Sequence, residues 1–269
     1  AIRFKIESNG TTTVFNNLDV NAGIDVTGAI TGTTDATINS VNIGKGANSV
    51  AGNTVLGESA LDASVTGGNN TAMGYAALGA NTTGAQNTAV GTEALDANTT
   101  ANSNVAIGYV ALGANTTGAD NTAVGTAALD ANTTASGNTA VGRSTLGANT
   151  TGTRNVAVGA FALDANTTAD RNTAIGWQAM TSNTTGYYNV AVGDAALEAN
   201  TTGNYNVAVG QAAGVSITTG NDNTAIGYAT LDAVTTSVRN VAVGNKALTS
   251  QTSNYCTAIG FEAGEDCNA

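Results

Sequence analysis

The chain has 269 residues, of which 42% are hydrophobic, 4% aromatic and 10% charged, and its net charge is −11. The eight basic residues are scattered from Arg3 to Lys246, so no cluster is available to neutralise phosphates and nucleic-acid binding is disfavoured. No apolar run approaches the roughly 18 residues that a membrane-spanning helix needs, and abundant Thr, Val and Ile argue against disorder.

Residues 1–52 lack the internal repeat of the following segment and predict a β-rich connector. Short strands are predicted at residues 3–6, 12–15, 18–20, 24–26 and 29–31, separated by turn residues such as Asn9-Gly10. The stretch 37–43 leads into Gly44-Lys45-Gly46, which we interpret as the joint to the repeat. Ala1 is followed by no signal-peptide pattern, so we expect the chain to be a portion of a longer protein.

A 17-residue repeat fills residues 53–264, and a short C-terminal tail occupies 265–269. The string Asn-(Thr/Val)-Ala-(Val/Ile/Met)-Gly recurs every 17 residues, with an imperfect copy at Asn53 and a last copy one residue early, at Cys256. The complete copies begin at Asn70, Asn87, Asn104, Asn121, Asn138, Asn155, Asn172, Asn189, Asn206, Asn223 and Asn240. The unit is too short for paired helices and is rich in β-branched residues. It predicts an all-β chain, a parallel β-solenoid of 12–13 coils, each with two strands of four or five residues and two turns.

Stacking assigns a physical role to each repeated residue, because every coil position forms a column with a spacing of about 4.8 Å. The Asn column predicts a ladder of side-chain amide hydrogen bonds. We expect the Val/Ile/Met column, beginning with Met73 and Val90, to face the core, and the alanines before them, Ala72 and Ala89, to face outward. The glycine that follows, such as Gly74, predicts a corner that needs a positive φ or a close approach.

The residue after the repeated Leu alternates between Asp and Gly, which indicates a duplicated 34-residue unit. The aspartates are Asp62, Asp96, Asp130 and Asp164. Alternation places them about 10 Å apart, a distance at which salt largely screens their repulsion. They are candidates for Ca²⁺ ligands or for the paired carboxylates of a glycosidase. We interpret them as solvated scaffold residues, because they lack dense ligand spacing and recur with the repeat.

The chain contains no His, which excludes the usual His-dependent catalysis and the usual zinc sites. The scattered glycines belong to the repeat and form no phosphate-binding or dinucleotide motif. We therefore expect no catalytic residue, no metal site and no cofactor, and we expect that the protein is not an enzyme.

Two variable segments interrupt each coil, and both carry aromatic residues. Variable loops on a rigid scaffold are where binding commonly resides. Trp177, Tyr187, Tyr188 and Tyr205 form our candidate receptor-binding set, because exposed rings suit stacking on sugars or anchoring a protein partner. The alternative is that the rings cover coil edges or pack between subunits.

Two further patterns admit alternatives. Asn-Thr-Thr recurs at Asn81, Asn98, Asn115, Asn132, Asn149, Asn166, Asn183 and Asn200, which satisfies the glycosylation pattern and also suits a polar turn; we favour the turn. Cys256 and Cys267 lie near the C-terminus and predict either a closing disulfide, as in extracellular proteins, or two free thiols.

The motifs resemble those of known fibres. The segments Phe4-Lys5-Ile6-Glu7-Ser8-Asn9-Gly10, Leu18-Asp19-Val20-Asn21 and Val41-Asn42-Ile43-Gly44-Lys45-Gly46-Ala47 resemble the start of tail-fibre proteins of bacteriophages and marine viruses, and the repeat is similar to those fibres over nearly all of the chain. The Ala-Ile-Gly motif also resembles the head repeat of YadA-like trimeric autotransporter adhesins, a left-handed parallel β-roll with a shorter period.

This resemblance implies a homotrimeric fibre on a virion that attaches to a host glycan or protein, without insertion into a membrane. The rival class is a cell-surface adhesin or an extracellular filament subunit. An outward alanine face fits the homotrimer, because a thin core buries little apolar area and three packed solenoids would bury more. A monomeric solenoid with a narrow core is the alternative.

Overall fold

The computed structural model describes residues 5–6, 12–13, 36–38, 41–63, 65–250 and 252–264. The chain divides into two compact units, 1–33 and 34–269. The first contains an antiparallel pair, β1 (Lys5–Ile6) and β2 (Thr12–Thr13), inside two of the predicted strands. The predicted strands at 18–20, 24–26 and 29–31 lie outside the described residues.

The second unit is a parallel β-solenoid, which confirms the predicted fold class. After β3 (Ala36–Ile38), β4 (Val41–Gly44) and one 3₁₀ turn (Ala47–Ser49), thirteen strands stack in parallel at intervals of 17 residues, or 16 at the last step. They are β5 Thr54–Gly57, β6 Thr71–Met73, β7 Thr88–Val90, β8 Val105–Ile107, β9 Thr122–Val124, β10 Thr139–Val141, β11 Val156–Val158, β12 Thr173–Ile175, β13 Val190–Val192, β14 Val207–Val209, β15 Thr224–Ile226, β16 Val241–Val243 and β17 Thr257–Ile259. Antiparallel β4 pairs with β5 and covers the first edge of the stack.

Each coil holds one short strand rather than the two longer strands predicted. We number the coil positions 1–17 from the repeated Asn, so that Asn70 is position 1 and Gln86 is position 17. Non-glycine residues adopt a positive φ at positions 7, 9 and 17, as at Ala76, Leu78 and Gln86. These left-handed residues turn the chain and prevent a second extended strand, although backbone hydrogen bonds such as Leu78 N–H to Ala94 O still join the coils there.

The orientation predicted for the strand is wrong. The alanines at position 3, including Ala72 and Ala89, are buried, whereas the Val/Ile/Met column at position 4 faces outward, with Met73 40% exposed. The interior contains Ala at positions 3 and 8, Leu at position 9 and two Asn columns. Because this cross-section is narrow, Ala occupies position 3 in every coil from Ala72 to Ala258. The alanine column is therefore internal core and offers no face for a second subunit.

The first Asn column, at position 1, forms the predicted ladder, with the backbone as its main partner. The Asn70 side-chain oxygen accepts the backbone N–H of Asn87 at 2.9 Å. The Asn87 amide donates to the carbonyl of Ala101 at 2.8 Å. Each of these bonds fixes one coil relative to its neighbour or closes a coil on itself.

A second buried Asn column lies at position 12, which is the Asn of Asn-Thr-Thr. Asn98 donates its amide to the Asn81 side-chain oxygen at 2.9 Å and to the Ala101 carbonyl at 3.2 Å. All eight asparagines from Asn81 to Asn200 are fully buried. This confirms the turn interpretation, because the folded chain leaves none of these amides accessible to a glycan.

The corner glycine at position 5 is required both by its conformation and by space, as predicted. Gly125 has φ 138°, and a Cβ added there would lie 2.4 Å from the carbonyl oxygen of Gly142 in the next coil. Gly137 differs, because its φ is 72° and an added Cβ would meet only Arg154 Cγ, at 3.7 Å.

We expect Gly125→Ala to destabilise the solenoid by about 3 kcal/mol or more, because the new methyl group would clash with backbone that cannot move independently. The matched control, Gly137→Ala, is expected to cost only about 1 kcal/mol, the usual penalty for Ala at a left-handed φ. Urea unfolding followed by circular dichroism measures both variants. Equal unfolding midpoints would contradict the proposed contact between the glycine corners.

Candidate binding surface

Side chains at position 17 form a column along one edge of the strand face. From the first described coil to the last, the column contains Asn69, Gln86, Ser103, Asp120, Gly137, Arg154, Arg171, Tyr188, Tyr205, Asp222, Arg239 and Tyr255. All but Gly137 are non-glycine residues with φ between 56° and 62°. The shared backbone conformation directs consecutive side chains alongside one another, and several neighbours 17 residues apart make contact, such as Tyr188 and Tyr205.

Three of the four candidate receptor-binding residues form one aromatic cluster. The Tyr188 and Tyr205 rings are stacked, with centroids 5.3 Å apart and planes 7° from parallel. Tyr187, at position 16, contacts both rings edge-on, and its ring centroid lies 5.7 Å from that of Tyr188 and 5.5 Å from that of Tyr205. Partial desolvation raises the pKa of the Tyr205 hydroxyl, and electrostatic interactions with Tyr187 and Tyr188, a hydrogen bond with Tyr187 and the charge of Asp222 raise it further.

Arg171 extends this cluster and was missing from the predicted set. Its guanidinium carbon lies 5.2 Å from the centroid of the Tyr188 ring, and its Nη1 donates to the Tyr188 hydroxyl. Tyr188 therefore packs against a cation and a second ring, so these neighbours, rather than a ligand, occupy its ring faces. The 17-residue period contained the signal for this contact, since Arg171 and Tyr188 are one period apart.

The structure leaves Trp177 apart from the three tyrosines. Trp177 occupies position 6, after the corner glycine, whereas the tyrosines precede the strand, so the strand face separates the two columns. No ring contact links it to Tyr187, Tyr188 or Tyr205 in the described part of the chain. Trp177 is 51% exposed. The role of all four residues in binding a receptor stays a prediction.

The edge beside this column explains a further alternation in the sequence. At position 16, a polar side chain in alternate coils from Asn102 to Asn204 accepts a backbone N–H of the coil before it. Asn102 accepts from Ala85 at 2.7 Å, and Ser136 from Ala119 at 3.0 Å. Downstream, Asn204 accepts from Tyr187 at 2.8 Å. The side chain at position 16 thus accepts hydrogen bonds from backbone N–H groups that lie outside the short strand and have no partner within it.

The aspartates at position 10 lie over the glycines of neighbouring coils. Asp164 Oδ1 would be 2.8 Å from a Cβ added at Gly147, so the glycine makes room for the carboxylate. Partial burial raises the pKa of Asp96, Asp130 and Asp164. Repulsion persists across two coils, because Asp62 adds to the increase at Asp96 and Asp130 to that at Asp164. The expectation that two-coil spacing screens the acids therefore holds only in part.

Within the described residues, no group of three or more His, Cys, Asp or Glu could hold a metal ion, and no helix is long and apolar enough to cross a membrane. Cys256 takes the place of the position-1 Asn, and its N–H donates to the Asn240 side-chain oxygen at 2.9 Å. Cys267 lies outside the described residues, so the predicted disulfide stays a prediction.

The raised pKa of Asp164 predicts a pH-dependent stability. A carboxyl whose pKa is higher in the folded state contributes stability at pH values below 3.8, its ordinary value. That contribution is lost as the pH rises through the raised pKa. We expect Asp164→Asn to increase the melting temperature at pH 7 and to flatten its decline with pH. The control is Asp194→Asn at the exposed position 6, which changes the net charge equally. Identical melting curves for both variants between pH 3 and 7 would contradict the interpretation.

Comparison with known proteins places the chain in no established group: no family model, no curated protein and no solved structure matches it.

Proposed function

We propose that the chain is a structural segment of a virus tail fibre or spike, which gives stiffness and presents side chains for attachment to a host surface. The observation that carries this proposal is the contrast between coil positions. Asn, Ala, Leu and Gly recur at the interior and corner positions, while positions 6, 7, 16 and 17 change from coil to coil. A constant scaffold with variable exposed columns is suited to binding, and the proposal assigns no catalysis to it.

The resemblance of the repeat to tail fibres supports location on a virion, and the rod-like stacking of coils supports a mechanical role. A cell-surface adhesin or an extracellular filament subunit would use the same stack and the same exposed columns. Attachment to a host glycan or protein is common to these proposals.

We also propose that the chain associates into a homotrimer. Because the alanine column is buried, the proposed interface is the outward strand face rather than an alanine face. The outward face of β5–β17 consists of positions 2 and 4. Position 2 is Thr or Val in every coil, and position 4 is Leu, Met, Val or Ile, so the face carries no charge. The face is about 58 Å long and about 10 Å wide. Position 4 supplies an unbroken apolar row along this face, and contiguous exposed apolar patches of several hundred Å² often mark interaction sites.

The dimensions of this strand face support a protein interface. Its footprint of about 600 Å², together with the flanking columns, approaches the roughly 800 Å² per partner of a standard interface. Position-4 side chains such as Ile107 and Ile175 are each 40% exposed. Burying them in a partner is favourable by about 25 cal/mol for each Å² removed from water.

We expect the parent chain to have the mass of three chains in light scattering coupled to size exclusion. The double variant Val141→Asp/Ile175→Asp, which places two charges on the strand face, is expected to have the mass of one chain. The control Thr151→Asp/Thr185→Asp places the same charges two coils apart at the exposed position 14 and should leave the mass unchanged. A monomeric parent chain would refute the homotrimer.

Attachment is tested with the fluorescently labelled chain on a panel of intact bacterial cells. We expect saturable binding to a subset of strains. The variant Tyr187→Ala/Tyr188→Ala/Tyr205→Ala should bind about tenfold more weakly or worse, since aromatic anchors commonly contribute 2 kcal/mol or more. Trp177→Ala reports on the separate position-6 column, with Tyr228→Ala as its matched aromatic control. The cluster has no role in attachment if its variant binds like the parent.

A further inference from the structure

One gap interrupts the column at position 17. Gly137 stands where every other described coil has a side chain. The backbone does not require this glycine, because Asp120 and Arg154, one coil to either side, adopt φ 59° and 57° there. Space does not require it either, because an added Cβ would meet only Arg154 Cγ at an ordinary 3.7 Å. The effect of Gly137 is to open a notch in an otherwise continuous column.

The notch is a cleft of about 270 Å³ lined by Asp120, Ser136, Gly137, Thr153 and Arg154. Asp120 and Arg154 are two coils apart, about 10 Å along the axis. A carboxylate therefore stands at one end of the cleft and a guanidinium at the other, with Ser136 in the coil between them and Thr153 beside Arg154.

The polar groups of the cleft are oriented and available. Ser136 Oγ accepts the Ala119 N–H at 3.0 Å, which leaves its own hydroxyl hydrogen to donate. Thr153 Oγ1 donates to Asp170 at 2.9 Å, which leaves its oxygen to accept. Among the described residues, the Arg154 side chain makes no ion pair or hydrogen bond. Arg239 occupies the same coil position, and its Nε instead lies 3.6 Å from Asp222 Oδ2 in an ion pair.

The charges specify the chemistry of a ligand. An unpaired guanidinium binds a carboxylate through two parallel hydrogen bonds. The acceptor oxygens of Asp120 suit sugar hydroxyls, and the hydroxyls of Ser136 and Thr153, which also line the cleft, suit the same ring. A free amino acid is too short to reach both ends, because its ammonium and carboxylate groups are separated by a single carbon atom.

We propose that the Gly137 notch is a binding site for a carboxylated sugar, such as a uronic acid unit of an acidic surface polysaccharide. Arg154 holds the carboxylate, Ser136 donates to and Thr153 accepts from ring hydroxyls, and Asp120 accepts a hydroxyl at the far end. The site rests on the proposed attachment role and names the class of its ligand. It is separate from the tyrosine cluster, which begins at Tyr188, two coils beyond Arg154 and three beyond Gly137 in the same column.

The test measures binding of tri-galacturonate, and of its methyl ester, to the full chain by titration calorimetry. The ester keeps the shape of the sugar and removes its charge. We expect the acid to bind at least about tenfold more tightly than the ester, as a charge-assisted hydrogen-bonded pair requires. Added salt should weaken binding of the acid more than binding of the ester.

Three variants separate the site from general electrostatics. Arg154→Gln removes the cation, and Gly137→Asn fills the notch with the residue that the chain itself carries at this position in Asn69, where φ is 62°. Both should weaken binding of the acid by about tenfold or more. Arg239→Gln removes an arginine that already has a partner and should leave the affinity unchanged. Melting temperatures like that of the parent establish that the variants fold.

Absence of saturable binding, equal affinity for acid and ester, or equal effects of Arg154→Gln and Arg239→Gln would overturn the proposal. The proposed attachment role is tested independently of the notch. If the chain binds tri-galacturonate but no cells, the notch stands and the attachment role is lost. If the chain binds cells and Arg154→Gln does not alter its affinity for the trisaccharide, the notch is lost and the attachment role stands.

Discussion

The two buried Asn columns are the interaction on which the rest of the structure depends. Their amides join adjacent coils and also close each coil on itself, because the carbonyl of Ala101 accepts from both Asn87 and Asn98. A buried amide left without a partner costs more than the hydrogen bond itself contributes. Within the coils that carry both ladders, a change in coil length would leave several such groups unpaired, so the two ladders together enforce the 17-residue spacing there.

The place where the second ladder ends shows how closely the interior is matched. In the coil after Asn200, Gly214 replaces the usual Leu and Ile217 replaces the usual Asn. The two changes compensate in volume, because an added Cβ at Gly214 would lie 2.9 Å from Ile217 Cδ1. Hydrogen bonding is not compensated, since Asn200 Oδ1 is buried without a partner in the described part of the chain. The interior therefore accommodates a change in side-chain shape, but it does not replace the hydrogen bond that the missing asparagine amide would have donated.

A narrow interior also determines what reaches the surface. Because the ladders and the Ala and Leu columns fill the cross-section, the β-branched residues at positions 2 and 4 must face outward. The fold thereby generates an uncharged strand face along its whole length, flanked on one side by the position-17 column. The proposals for stiffness, self-association and ligand contact therefore involve different columns of the same coil, so each column can change without disturbing the others.

The sequence alone determined the period, the parallel stacking, the glycine corner and the turn at Asn-Thr-Thr, because each follows from spacing and residue type. It also predicted that Tyr187, Tyr188 and Tyr205 belong together. Only the tertiary structure decided that Ala72 faces inward and Met73 outward, because a strict alternation does not say which side is the core. The separation of Trp177, the stacking of Arg171 on Tyr188 and the notch at Gly137 likewise depend on three-dimensional neighbours. Left-handed residues turn each coil by amounts that residue identity does not reveal, and those turns decide which columns meet.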